Sequence, residues 1–181
     1  MSAALLERRV DPGAAVPAWL DDVTRRWQQV VADPSLSNLP YKIETTRSGQ
    51  IVMSPARTEH SVYQAQVASA LDRRLGAVVL TECAVATSEG VKVADVAWHP
   101  VATFAALRGD GVLVRAPEIC VEIRSPSNFG PELLEKVRLY LDSGATEVWV
   151  VAADGSIRVH TAAGEADVSA RMSPMPVLAA P

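Results

Sequence analysis

Aromatic residues are scarce in this sequence: Phe, Tyr and Trp together make up 5% of its 181 residues. Its core must therefore be built mainly from Val, Leu, Ile and Ala, and the 49% apolar content supplies them at the level of a globular chain. Cysteine is scarcer still. Cys83 and Cys120 are too few for a disulfide framework, form no CxxC pair, and lie in apolar stretches where a small buried thiol is expected. With the three histidines they make no zinc spacing. No apolar run approaches the roughly 18 residues that a bilayer span requires, so no membrane partner is expected. Near the start, Arg8 and Arg9 follow Leu5 and Leu6, the wrong order for a secretory signal, and the expected compartment is the cytoplasm. The phosphate loop GxxxxGK[ST], the zinc helix HExxH and the nucleophile elbow GxSxG are all missing. So is an excess of positive charge. A net charge of −4 and a pI near 5.4 weigh against tight, non-specific nucleic-acid binding by a monomer. They leave room for an enzyme whose basic groups are local.

What is present reads as one α/β domain. Residues 1–16 lack periodicity and read as a flexible tail. A helix follows over residues 17–32, with Leu20, Val23, Trp27, Val30 and Val31 on one face. Residues 41–46 and 50–54 form a hairpin around Gly49. Residues 58–75 form a second helix with Tyr63, Val67, Leu71 and Leu75 spaced four apart, stopped by Gly76. The period then changes: residues 77–82, 91–98 and 117–124 are Val- and Ile-rich runs that read as strands, with a short helix near 103–107. Pro131 opens another helix that reaches Gly144, and residues 146–152 and 156–161 form a second hairpin. The single domain is placed at residues 17–161, with an irregular C-terminal tail at 162–181. This order predicts a mixed sheet with helices packed on it.

Several polar residues stand where apolar ones are expected. Asp95 interrupts an apolar strand over residues 93–98, and a buried carboxylate is costly unless it is paired or holds a metal; an Asp at a strand edge is the simpler alternative. Glu122 interrupts an almost wholly apolar run at residues 119–123. Strand alternation puts Arg124 on the same face as Glu122, so the pair could meet a metal and a phosphate together or form a plain ion pair. A polar turn containing Ser125 leaves that strand end, the usual place for ligand sites in open α/β sheets, though an ordinary cap would look the same. Lys136 falls about 40° from Tyr140 around its helix, at the edge of the apolar stripe, and can reach back over the sheet. His60 lies in the apolar stripe of its helix with Gln64 beside it; both could line a site or be hydrogen-bonded core. Oxygen ligands such as Asp95 and Glu122 suit Mg²⁺ or Mn²⁺.

Taken in order, the stretch "PEICVEIRSPSN" at residues 117–128, Lys136, Tyr140, Gly144 and "TEVWVV" at 146–151 resemble the Uma-type restriction endonuclease family of the PD-(D/E)XK nuclease superfamily. Upstream, Glu44 before a Gly turn, Met53-Ser54-Pro55, His60 and Ala94-Asp95-Val96 resemble its N-terminal half. The resemblance covers about residues 40–161 and implies a restriction-endonuclease-like core, a central mixed sheet flanked by helices. It implies that Asp95 and Glu122 ligate a divalent metal. The superfamily's motif lysine is replaced by Arg124, which cannot act as a base but can hold phosphate charge, and the resemblance offers Lys136 as the substitute. Ala94 stands where the motif has proline. Glu44, His60, Gln64 and Ser125 are then supporting residues. The implied activity is metal-dependent hydrolysis of DNA phosphodiesters, with a homodimer as the expected assembly for cutting two strands. A catalytically inactive binding module on the same fold, or an enzyme using Glu122 and Arg124 on a small phosphorylated substrate, are the alternatives.

Overall fold

The structure is a computed structural model that describes residues 17–55, 57–109, 111–125 and 130–180. Helix α1 (Ala18–Ala32) buries Val23 and Trp27, four residues apart on one face, and the Trp27 indole N–H donates to the Gly111 carbonyl at 2.9 Å. It stops at Asp33, whose extended backbone is what a residue before Pro34 prefers. Strands β1 (Tyr41–Thr45) and β2 (Ile51–Pro55) pair antiparallel as a separate two-stranded sheet. Helix α2 (Thr58–Leu75) buries Tyr63, Val67, Ala70 and Leu71 and ends at Gly76, whose φ of 62° terminates helices at little cost to glycine. Strands β3 (Val78–Thr87) and β4 (Gly90–His99) form a long hairpin. A short helix α3 (Val101–Phe104) and a 3₁₀ turn (Ala105–Leu107) lead to β5 (Ile119–Ile123). After α4 (Gly130–Asp142) come β6 (Glu147–Val151), β7 (Ile157–Thr161) and β8 (Gly164–Ala166).

The six strands of the main sheet lie in the order β3-β4-β5-β6-β7-β8. All neighbours are antiparallel except β5 and β6, which run parallel and are joined through α4. The result is the mixed α/β sheet that the alternation of periods predicts. Alternation along β5 sorts its side chains cleanly. Ile119, Val121 and Ile123 pack with α2 residues Tyr63, Val67 and Leu71, while Cys120 packs with α4 residues Val137 and Tyr140. Glu122 therefore points toward α4.

Two elements differ from the sequence reading. Strand β3 continues to Thr87 rather than ending at residue 82, because the run Cys83–Ala86 is itself apolar and the strand pairs rung by rung with β4 from Cys83 to Thr87. The tail read as irregular contains β8, and beyond it Met172 is buried in the α2-side core. Residues 1–16 and 126–129 lie outside the described residues.

The far half of the β3–β4 hairpin runs past the end of β5 and packs on α1, where Ala86, Val91 and Val93 meet Val23 and Trp27. There it also receives β1. The Val91 N–H donates to the Thr45 hydroxyl at 2.9 Å and the Val93 N–H donates to the Glu44 carboxylate at 2.8 Å. Gly90 makes this approach possible. Its φ is +97°, and a Cβ there would lie 2.4 Å from the Thr45 carbonyl oxygen and 2.6 Å from the Thr46 carbonyl carbon, both backbone atoms that cannot turn aside. Gly90→Ala is therefore expected to lower stability by at least about 2 kcal/mol, combining left-handed strain with overpacking. Urea unfolding measures the loss; an unchanged midpoint would mean that β1 is not held against β4.

Candidate active site

Asp95, Glu122 and Lys136 come from a strand, its neighbour and the following helix, and they meet in one cleft of about 360 Å³. Asp95 and Glu122 are 0% and 1% exposed, so each carboxylate needs a partner for every oxygen. Glu122 is held by α4: the Tyr140 hydroxyl donates to Oε1 at 2.8 Å and the Lys136 ammonium to Oε2 at 3.4 Å. Lys136 also donates to Glu44 Oε1 at 2.6 Å, which ties β1 to α4 across the cleft. Asp95 accepts the Ile123 backbone N–H on Oδ2 at 2.6 Å. Its Oδ1 takes the Lys42 ammonium and lies 3.1 Å from His60 Nε2.

The main-chain setting explains why the two acids face one another. The rungs between β4 and β5 end at Val96–Val121. In the next position the Asp95 side chain reaches across and accepts the Ile123 N–H. The carboxylates thus sit where the strands part.

Their electrostatics diverge. Burial pushes the Asp95 carboxyl up, but Lys42 and His60 outweigh it and hold the group at about 2. For Glu122 burial wins: the carboxyl is raised above its ordinary value although Lys136 and Lys42 pull it back, with Asp95 and Glu44 adding to the rise. Burial opposes the charge on Lys136 and on Lys42, yet the surrounding carboxylates overcome it and keep both ammonium groups raised above their usual range. Tyr140 is pushed well up, first by burial and then by Glu122, so it remains a donor.

The sequence candidates separate clearly. Glu44, His60, Gln64, Asp95, Glu122, Ser125 and Lys136 all line the cleft. Arg124 does not: β5 ends at Ile123, the alternation that would align Arg124 with Glu122 stops there, and its side chain is exposed. Among the residues that bond the two acids directly, Lys42 and Tyr140 are additions, the first from a strand read only as part of a hairpin, the second from a position read as core and family pattern. Gln64 contributes through its carboxamide, which donates to the Asp95 carbonyl and to Glu82 Oε1, both at 2.8 Å. A larger groove of about 600 Å³ between α2 and the C-terminal segment is lined by no carboxylate and carries no comparable chemistry.

Among the described residues no three His, Cys, Asp or Glu side chains enclose a metal position. The donor chemistry nevertheless fits a hard cation. Asp95 and Glu122 offer oxygen ligands on adjacent strands, and the Lys42 ammonium already lies against Asp95 as a cationic stand-in.

The sequence profile described as "Uma2: Putative restriction endonuclease" matches residues 25–174, most of the chain. The chain belongs to the Uma2 family. The matched region contains every residue of the cleft from Leu39 to Lys136. No curated protein matches the chain. Among solved structures, one described as a putative nuclease of the DUF820 group from Anabaena variabilis superposes with a TM-score of 0.59, at 18% identity, covering 74% of this chain and 81% of that one. At that identity the likeness is one of fold, and the two chains share the mixed α/β framework. No helix among the described residues is long and apolar enough to cross a membrane.

Proposed function

We propose that this chain is a metal-dependent endonuclease that hydrolyses DNA phosphodiesters. The observation that carries the reading is the convergence of Asp95, Glu122 and Lys136 in one cleft, with Lys136 fixed by Glu44 and Glu122 at 2.6 and 3.4 Å. Asp95 and Glu122 are the residues that would hold Mg²⁺ or Mn²⁺. Such an ion supplies Lewis-acid polarisation of the phosphoryl oxygen and a water acidified for attack. The Ile123 N–H and His60 keep Asp95 aimed into the cleft, and Tyr140 does the same for Glu122. Lys136 neutralises charge developing on the phosphoryl group, a role suited to a preorganised ammonium in a partly enclosed site. Arg57, on the cleft wall, is exposed and free to meet the nucleic-acid backbone. Cutting both strands calls for two such clefts, and a homodimer with two-fold symmetry is the simplest arrangement that provides them.

Supercoiled plasmid incubated with Mg²⁺ or Mn²⁺ tests the proposal. Wild-type protein is expected to produce nicked circles, whereas Asp95→Ala and Glu122→Ala lower the rate by at least about 10³-fold, in line with loss of a charge-stabilising group. One feature favours a binding module instead: the two lysines already neutralise most of the acidic charge without any metal. Calorimetric metal or DNA binding with no nicking at any metal concentration would establish that alternative.

A further inference from the structure

Opposite Asp95 the β3–β4 ladder has a gap. Rungs run from Val78–His99 to Thr81–Val96 and resume at Cys83–Ala94, leaving Glu82 facing Asp95 unpaired. Glu82 has a φ of 50°, in the left-handed region that non-glycine residues rarely occupy. The side-chain phase slips at the same place. Leu80 and Cys83, three apart on β3, both pack toward α4, as do Ala94 and Ala97 on β4. Strict alternation forbids that spacing. The Asp95 carbonyl, denied a partner on β3, is taken by the Gln64 amide, whose second hydrogen goes to the Glu82 carboxylate. Because both partners are acceptors, the nitrogen of Gln64 must face them. Glu82 itself is exposed and lines the cleft.

A strained residue at the rim of a cleft, held beside a buried acid, is a reason to look for function. The geometry points to Glu82 and Gln64 as a positioning pair that turns the Asp95 peptide so that its carboxylate faces the cleft. The inference rests on the metal-site reading above for its functional consequence. Its structural consequence stands alone, because the Ile123 N–H reports where the Asp95 carboxylate lies.

The test uses the full chain with Mn²⁺ as probe, together with amide hydrogen exchange. Glu82→Gly removes the acceptor while glycine accepts the same φ without strain. Gln64→Ala removes the link itself. Both are expected to weaken Mn²⁺ binding about 10–100-fold, the usual cost of losing an outer-shell support. Both should also speed exchange at Ile123 about tenfold relative to Val121 and Cys120, whereas a merely destabilising change moves all three amides together. Glu82→Gln, which keeps an oxygen acceptor, is expected to recover both properties. Asp95→Asn serves as the control for the metal reading: if it binds Mn²⁺ as wild type does, that reading fails while the Ile123 amide still decides the positioning role. Ile123 exchange in Glu82→Gly and Gln64→Ala indistinguishable from wild type would overturn the positioning pair.

Discussion

Lys136→Met is expected to cost about 3–5 kcal/mol of stability and to abolish metal-dependent nicking, the first measured by urea unfolding and the second on supercoiled plasmid. The reason lies in what the ammonium leaves behind. Lys136 is 14% exposed at its side chain, and its partners Glu44 and Glu122 are 10% and 1% exposed, so both ends of the pairing are largely withdrawn from water. Methionine fills nearly the same volume but donates nothing. Two carboxylates then face one another with no cation between them, while Tyr140 still donates to Glu122 and Val93 to Glu44. Removing one partner of a buried pair is much more damaging than replacing both with apolar groups, because the survivor keeps its desolvation cost.

Two further variants separate the structural from the chemical part of that loss. Lys136→Arg keeps the charge and is expected to regain much of the stability. It is not expected to regain nicking, because a planar guanidinium presents its donors in a different geometry from a compact ammonium. The triple change Lys136→Met, Glu44→Gln, Glu122→Gln removes the orphaned charges and should unfold later than Lys136→Met alone, while remaining inactive. If Lys136→Met were as stable as wild type, the pairing with Glu44 and Glu122 would not hold in solution. If it nicked plasmid normally, Lys136 would have no part in the chemistry.

Much of this arrangement is legible in the sequence, for reasons that can be stated residue by residue. The helix from Thr58 to Leu75 is marked by its four-residue apolar spacing and by Gly76. The buried acids are marked by their apolar neighbours, since a charge inside Ile119–Ile123 demands a partner somewhere in the fold. Lys136 is marked by its place at the edge of an apolar helical stripe. What escapes the sequence depends on where strands end or slip. Arg124 shares a face with Glu122 only if β5 continues past Ile123, and it does not. The gap at Glu82 leaves no local trace, because a glutamate at positive φ is imposed by the tertiary setting rather than by any turn signal. Lys42 carries two signals in the sequence that a plain hairpin does not use. It lies two residues before Glu44 on a strand, so the pair shares a face. In addition, the chain contains only three lysines, Lys42, Lys92 and Lys136, against fourteen arginines among its 17 basic residues. All three lysines bond inward, Lys92 to the Thr45 carbonyl at 3.1 Å. Where arginine supplies the surface charge, a lysine stands out.

Lys42 is expected to compete with a metal ion for Asp95. Lys42→Met should bind Mn²⁺ at least about tenfold more tightly than wild type, although its metal-free form unfolds at lower urea concentration. The ammonium lies on the same Asp95 oxygen that a divalent ion would need, with a side chain 15% exposed at the cleft wall. At an effective dielectric of about 20, unit charges some 4 Å apart interact by about 4 kcal/mol, and the repulsion doubles against a dication. Lys42 would have to swing away for an ion to bind there, and wild-type metal affinity would be reduced by the Asp95 contact given up. Asp95 keeps the Ile123 N–H and His60 in the variant, so the ligand itself stays aimed. Because an ion that binds only the folded state stabilises by about 2.7 kcal/mol at 100 times its dissociation constant, the thermal midpoint of Lys42→Met should rise steeply with added Mn²⁺. Weaker Mn²⁺ binding than wild type would show that Lys42 supports the ion instead of competing with it, and the ammonium would then belong with Lys136 on the substrate side of the cleft.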